Sequence, residues 1–101
     1  NLIAMQPEEI KYIRSDGPVV YITDDQDRQW AGGQSLKFYV DLLAGDQFFQ
    51  VSQSILVNCR KVRYIDVANQ EVELTCGKRL TMSRNGLKNL RDHIKANRYR
   101  W

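Results

Sequence analysis

The chain has 101 residues, which fits one domain with one core and little more. Hydrophobic residues make up 43% and charged residues 27%, a balance that places it among soluble globular chains and argues against disorder. No apolar run approaches the length of a membrane helix, no signal peptide opens the chain, and the net charge is only +3.

The first residue is Asn rather than Met, so the sequence is expected to be a piece of a longer protein. Leu2 to Met5 is an apolar stub that Pro7 breaks, and Glu8-Glu9 reads as a polar turn. Ile10 to Arg14 is a predicted strand. Ser15-Asp16-Gly17-Pro18 is a turn, because Gly17 tolerates a left-handed backbone and Pro18 presets the next dihedral. Val19 to Thr23 is β-branched or aromatic throughout and is the clearest strand in the chain. Asp24 to Asp27 turns back, and Arg28 to Ala31 would pair as a hairpin partner. Gly32-Gly33 interrupts, and Ser35 then caps a predicted helix over Leu36 to Leu43, closed by Gly45. Its apolar face is Leu36, Tyr39, Val40 and Leu43.

Phe48 to Asp66 holds two apolar segments around the polar patch Ser52-Gln53-Ser54, which is how a scaffold presents a recognition loop. Two more hairpins follow. Asn69-Gln70 turns Val62–Val67 into Glu71–Thr75, and Cys76-Gly77-Lys78 turns into Arg79–Met82. Ser83 caps a last predicted helix from Arg84 to about Ala96, with Leu87, Leu90 and Ile94 inward and Lys88, Arg91, Asp92 and Lys95 toward water. Residues 97–101 form a basic, aromatic tail.

Charge is unevenly spread. Residues 1–76 carry seven Lys/Arg against eleven Asp/Glu, and residues 77–101 carry eight Lys/Arg against Asp92 alone. A basic end on an acidic body fits a nucleic-acid binder, since clustered cations release counterions. It also fits a solvated basic helix.

Catalytic and cofactor chemistry finds little purchase. Gly32-Gly33 lacks a phosphate-loop context, His93 has no nucleophile beside it in sequence, and the Asp24–Asp27 turn lacks the Gly and distal Glu of a calcium loop. Cys59 and Cys76 fit no zinc spacing and read as reduced thiols; a redox pair would require neighbouring strands. No enzyme activity, cofactor or metal is expected.

An ordered set of elements carries a family resemblance. It comprises Ile10-x-Tyr12-Ile13-x-Ser15-Asp16-Gly17, Val20-Tyr21-Ile22, Ser35-Leu36-Lys37, Phe49-x-Val51-x-x-Ser54-x-x-Val57-Asn58-x-x-Lys61-Val62, Gly77-Lys78-Arg79-Leu80 and Ser83-Arg84-x-x-Leu87-Lys88-x-Leu90. This resembles a LytTR domain, the DNA-binding output module of a class of bacterial response regulators, from about Met5 to Ile94. The resemblance implies a mostly β, elongated fold of short antiparallel sheets with one or two short helices. It implies one domain over residues 1–101 whose first strand is truncated. It also implies cytoplasmic transcription control, with loops in successive major grooves of double-stranded DNA. A homodimer on paired repeats and a receiver or sensor domain fused upstream complete the picture, with no membrane contact from this segment.

By the same resemblance, base contacts fall on Val19, Ser52, Gln53 and Arg84. Valine offers a surface to a thymine methyl, Gln53 suits adenine N6 and N7, and Arg84 suits guanine O6 and N7. Relatives usually carry His and then a basic residue or Asn where this chain has Ser52-Gln53. Phosphate contacts fall on Ser54, Lys61, Ser83 and Asn85, with Lys78 and Arg79 added on charge alone. Asn58 is expected to be structural. The competing reading is a protein-interaction module on the same fold, anchored by exposed Trp30, Tyr99 and Trp101.

Overall fold

In the computed structural model, which describes residues 4–45 and 47–97, the Asp-Gly turn closes the hairpin predicted from it. Strand β1 (Ile10–Asp16) pairs antiparallel with β2 (Val19–Asp24), and Gly17 takes the left-handed backbone at φ +60. Strand β3 (Gln29–Gly32) returns along β2, helix α1 (Leu36–Leu42) follows, and β4 (Phe48–Ser52) and β5 (Ile55–Asn58) form the next hairpin. These five strands make one antiparallel sheet in the order β3-β2-β1-β5-β4. Strands β6 (Val62–Asp66), β7 (Glu71–Leu74) and β8 (Arg79–Thr81) make a second, and helix α2 (Arg84–Asn97) ends the described chain. The described residues measure 40 × 26 × 24 Å, so the fold is elongated as well as mostly β.

The large sheet is covered on both faces, and strand alternation assigns the sides. Tyr12 and Val57 face each other across β1 and β5 and join one core with Val51, sheet β6–β8 and the Leu87, Leu90 and Ile94 face of α2. Ile13 and Leu56, one residue along, join the second core with Phe48 and Leu36 of α1. Strands β1 and β5 therefore contribute to both cores.

Local chemistry sets the boundaries. The Ser35 hydroxyl accepts from Phe38 N and starts α1, as predicted. Leu43, not Gly45, is the residue at which α1 ends. Pro7–Glu9 is a short 3-10 turn where a plain turn was predicted. Asn58 is fully buried: its Nδ2 donates to Ile10 O at 2.9 Å and its Oδ1 accepts from Arg60 N at 3.0 Å. It ties β5 to the start of β1 and opens the 3-10 turn Cys59–Lys61, which is a structural role. His93 does not simply face water, because its ring stacks on Phe49 of β4 with centroids 4.6 Å apart.

Candidate nucleic-acid interface

Antiparallel pairing of β1 with β5 brings two turns to one end of the large sheet. Arg14 stands opposite Ile55, and Ser15 N donates to Ser54 O at 2.9 Å. The Asp16–Val19 turn and the Gln53-Ser54 turn thus leave the sheet side by side. The second turn is closed from within: Ser52 Oγ accepts from Ser54 N at 3.2 Å and lies 3.3 Å from Ser54 Oγ. Ser52 and Ser54 are half-buried by this bonding, which leaves Gln53 as the exposed tip.

The start of α2 joins them through β4. Ser83 Oγ accepts from Gly86 N at 3.1 Å and Ser83 O accepts from Leu87 N at 2.9 Å, so Ser83 caps the helix as predicted. Gly86 packs on Val51, the residue before Ser52; a Cβ on Gly86 would come 2.7 Å from Val51 O. That approach seats the first turn of α2 beside the β4–β5 turn. Arg84 and Asn85 are exposed there, and the helix dipole adds partial positive charge at the same place. Val19, Ser52, Gln53, Ser54, Ser83, Arg84 and Asn85 therefore belong to elements gathered at one end.

Lys61, Lys78 and Arg79 do not join this group. Lys61 follows the far end of β5, a strand of about 13 Å at about 3.3 Å per residue. Its Nζ lies 3.0 Å from Asp25 Oδ1 in the β2–β3 turn, and its carbonyl accepts from Thr75 N at 2.8 Å. Lys78 sits in the β7–β8 turn with its ammonium 5.3 Å from the centroid of the Tyr12 ring. Arg79 lies on the outer face of the small sheet, shared among Asp66 at 2.9 Å, Glu71 at 3.2 Å and Glu73 at 3.1 Å. Those carboxylates raise its pKa further, while the Asn69 and Arg79 donors hold Asp66 below the usual carboxylate range.

Lys11, Arg28, Lys37, Lys61, Arg63 and Arg79 each hold a carboxylate on the body of the fold. Among the described residues, Arg14, Lys78, Arg84, Lys88 and Lys95 are exposed and make no ion pair, and of these Arg14 and Arg84 lie at the end where the turns meet. Arg14 was not singled out in the sequence; its signal was position alone, one residue before the Ser-Asp-Gly turn.

One expectation changes. Trp30 is not an exposed anchor: it is half-buried against the α1 core, and its indole donates to Asp24 Oδ2 at 2.9 Å. Tyr99 and Trp101 lie outside the described residues. Cys59 is buried and Cys76 exposed, and no disulfide joins them. Burial works to raise the Cys76 pKa, but Lys78 N and the Lys11 ammonium, 3.2 Å from Sγ, outweigh it and lower the value. Among the described residues no three His, Cys, Asp or Glu side chains gather to hold a metal. No described helix is long and apolar enough to cross a membrane.

A family model described as the LytTr DNA-binding domain matches residues 1–95. Among solved structures, the chain is similar to the LytTr DNA-binding domain of a chain from Bacillus cereus described as a methyl-accepting/DNA response regulator. The two share 18% identity with a TM-score of 0.75, over 85% of this chain and 81% of that one, a likeness of fold. A search of curated proteins by sequence found no match.

Proposed function

The chain belongs to the LytTR family of DNA-binding domains, and from that premise we propose that it is the sequence-reading output domain of a bacterial response regulator, acting on double-stranded DNA in the cytoplasm. One observation carries the reading beyond the family: two turns and a helix start converge at one end of the fold, with unpaired cations beside them. The turns enter successive major grooves. Gln53 reads adenine, Arg84 forks onto guanine, and Val19 rests against a thymine methyl, with Ser52 supporting. Each bidentate contact is worth about 1–3 kcal/mol of discrimination.

Ser54, Ser83 and Asn85 bond phosphates at the same end. Lys61 and Lys78, further along the molecule, meet the backbone where the duplex continues past the turns. Arg79 is the weakest of the phosphate contacts, because three carboxylates already share its guanidinium. Residues 1–101 act as one domain, two copies occupy paired repeats, and a receiver or sensor domain upstream controls their pairing.

Fluorescence anisotropy with duplexes selected from a random pool tests this. Arg84→Ala is expected to relax base preference at one position. Lys61→Ala is expected to weaken all sequences alike and reduce the salt slope by about 1. Absence of any site-preferring binding at low salt would overturn the reading.

A further inference from the structure

One groove on the molecule is not used by the turns. It runs between the β6–β7 turn and the first half of α2, has a volume of about 500 Å³, and lies at the foot of Arg84. Val67, Ala68 and Leu87 give it an apolar lining, and Gln70, Asn85, Arg84, Lys88 and Arg91 give it polar groups. The lining contains three cations and two carboxamides, and no carboxylate. On a body where most cations are paired, that is a concentrated site for an anion.

We infer that this groove holds the phosphate backbone bordering the DNA groove that Arg84 enters, so that Lys88 and Arg91 are phosphate ligands and the footprint extends along α2. The inference rests on the DNA-binding reading above. Spacing supports it. Arg84, Lys88 and Arg91 follow at i, i+4 and i+7, on one stripe of the helix. At 1.5 Å per residue, Lys88 lies about 6 Å and Arg91 about 10.5 Å behind Arg84. The major groove is about 12 Å wide. With Arg84 at the base edges, the two cations behind it reach the wall of the same groove.

The ions are available. Lys88 makes no ion pair among the described residues, and Arg91 has only Asp92, at 3.7 Å with both side chains about half exposed. An exposed pair of that length holds weakly. The opposite wall is already shaped. Gln70 takes a left-handed backbone at φ +53, fixed by Met82 N donating to Gln70 O at 2.9 Å. The wall therefore needs no ordering when a strand arrives. An acidic protein segment would also suit three cations, but Arg84 belongs at once to the groove and to the turn cluster, so a ligand of the cluster is continuous with this site.

The test titrates the full chain against its selected duplex and against unrelated duplexes from 50 to 300 mM salt, with each phosphate contact set to contribute about 0.9 to the salt slope. Lys88→Gln and Arg91→Gln should each lower the slope by about 0.9 and the affinity for every duplex about threefold, leaving the specificity ratio unchanged. Ala68→Glu, which sets a carboxylate in the groove, should weaken binding more than either. Lys37→Gln, a surface cation on α1 paired with Asp41, should change neither slope nor affinity. If wild type discriminates its site and the Lys88→Gln/Arg91→Gln double variant keeps both slope and affinity, the groove does not touch DNA. If wild type itself shows no site preference, the functional reading fails first and this inference falls with it.

Discussion

Gly86 lies so close to Val51 that a Cβ at position 86 would stand 2.7 Å from the Val51 carbonyl oxygen. Helix α2 is therefore set on β4 at backbone contact, and the distance from Arg84 to the β4–β5 turn depends on a missing methyl group. Gly86→Ala has two opposed effects. Alanine favours the helix by about 1 kcal/mol over glycine. Forcing an extra carbon against a fixed carbonyl costs about 1–3 kcal/mol. The obstacle is a backbone carbonyl rather than the far end of a flexible side chain, so the second effect dominates. Urea unfolding should show a net loss of up to about 2 kcal/mol. DNA affinity should fall as well, because the helix start that carries Arg84 and Asn85 is displaced. An unchanged midpoint and affinity would refute the account.

Asp24 contributes to acid stability. It is buried at the end of β2, and its two oxygens accept from Gln26 N, Arg28 N, Arg28 Nε and Trp30 Nε1, each at 2.9 Å. Burial works to raise its pKa, but the Trp30, Arg28 and Gln26 donors outweigh that and lower it from 3.8 to about 2. A carboxylate whose folded pKa is depressed adds stability above its unfolded pKa and loses it as pH falls through the folded value. The contribution is thus complete above about pH 4 and disappears between about pH 4 and pH 2. Asp24→Asn should cost about 2–3 kcal/mol at neutral pH and flatten the pH dependence across that window. Chemical denaturation at a series of pH values measures both. A variant that keeps the wild-type slope between pH 4 and pH 2 would assign the acid sensitivity elsewhere.

The Lys61–Asp25 pair sets a functional cost. Nζ and Oδ1 are 3.0 Å apart, with the lysine side chain 25% and the aspartate 43% exposed, so solvent screens the attraction. For Lys61 to serve a phosphate it must share its charge with that carboxylate. Asp25→Asn should therefore tighten DNA binding by a few-fold at low salt and raise the salt slope, while stability changes by less than about 1 kcal/mol. The double variant Asp25→Asn/Lys61→Ala should bind no better than Lys61→Ala alone. Equal gains with and without Lys61 would mean that Asp25 acts by general repulsion rather than through its partner.

Much of the fold is legible in the sequence because its signals are local. Asp16-Gly17 fixes a hairpin, Val19 to Thr23 declares a strand by side-chain type, and Ser83 followed by Leu87, Leu90 and Ile94 declares a capped, one-sided helix. What stays hidden depends on partners distant in the chain. Lys61 looks like a free cation until the fold brings Asp25 to it, and Arg79 looks basic until Asp66, Glu71 and Glu73 surround it on one sheet face. Trp30, beside Gly32-Gly33, reads as exposed because nothing nearby in sequence announces that Asp24 will accept from its indole. Gly86 reads as a weak spot in a helix, whereas its reason is the approach of Val51. The groove behind Arg84 needs the β6–β7 turn as its second wall, which no spacing along α2 reveals.

The tip of the β4–β5 turn allows the most direct reading of specificity. Gln53 is exposed while Ser52 and Ser54 on either side are bonded to one another, so the turn presents one side chain and holds its own shape. Changing Gln53 leaves that bonding intact. Gln53→Arg exchanges a carboxamide, which pairs with adenine, for a guanidinium, which pairs with guanine. The preferred base at one position should switch from A to G with a discrimination of about 1–3 kcal/mol. General affinity should rise modestly from the added charge, and the fold should be unaffected. Competition among duplexes differing only at that position, run at two salt concentrations, separates the two effects: the base switch persists at high salt and the added affinity fades. A variant that gains affinity on every duplex with no change of preferred base would show that Gln53 faces the backbone, and would leave Arg84 as the principal reader.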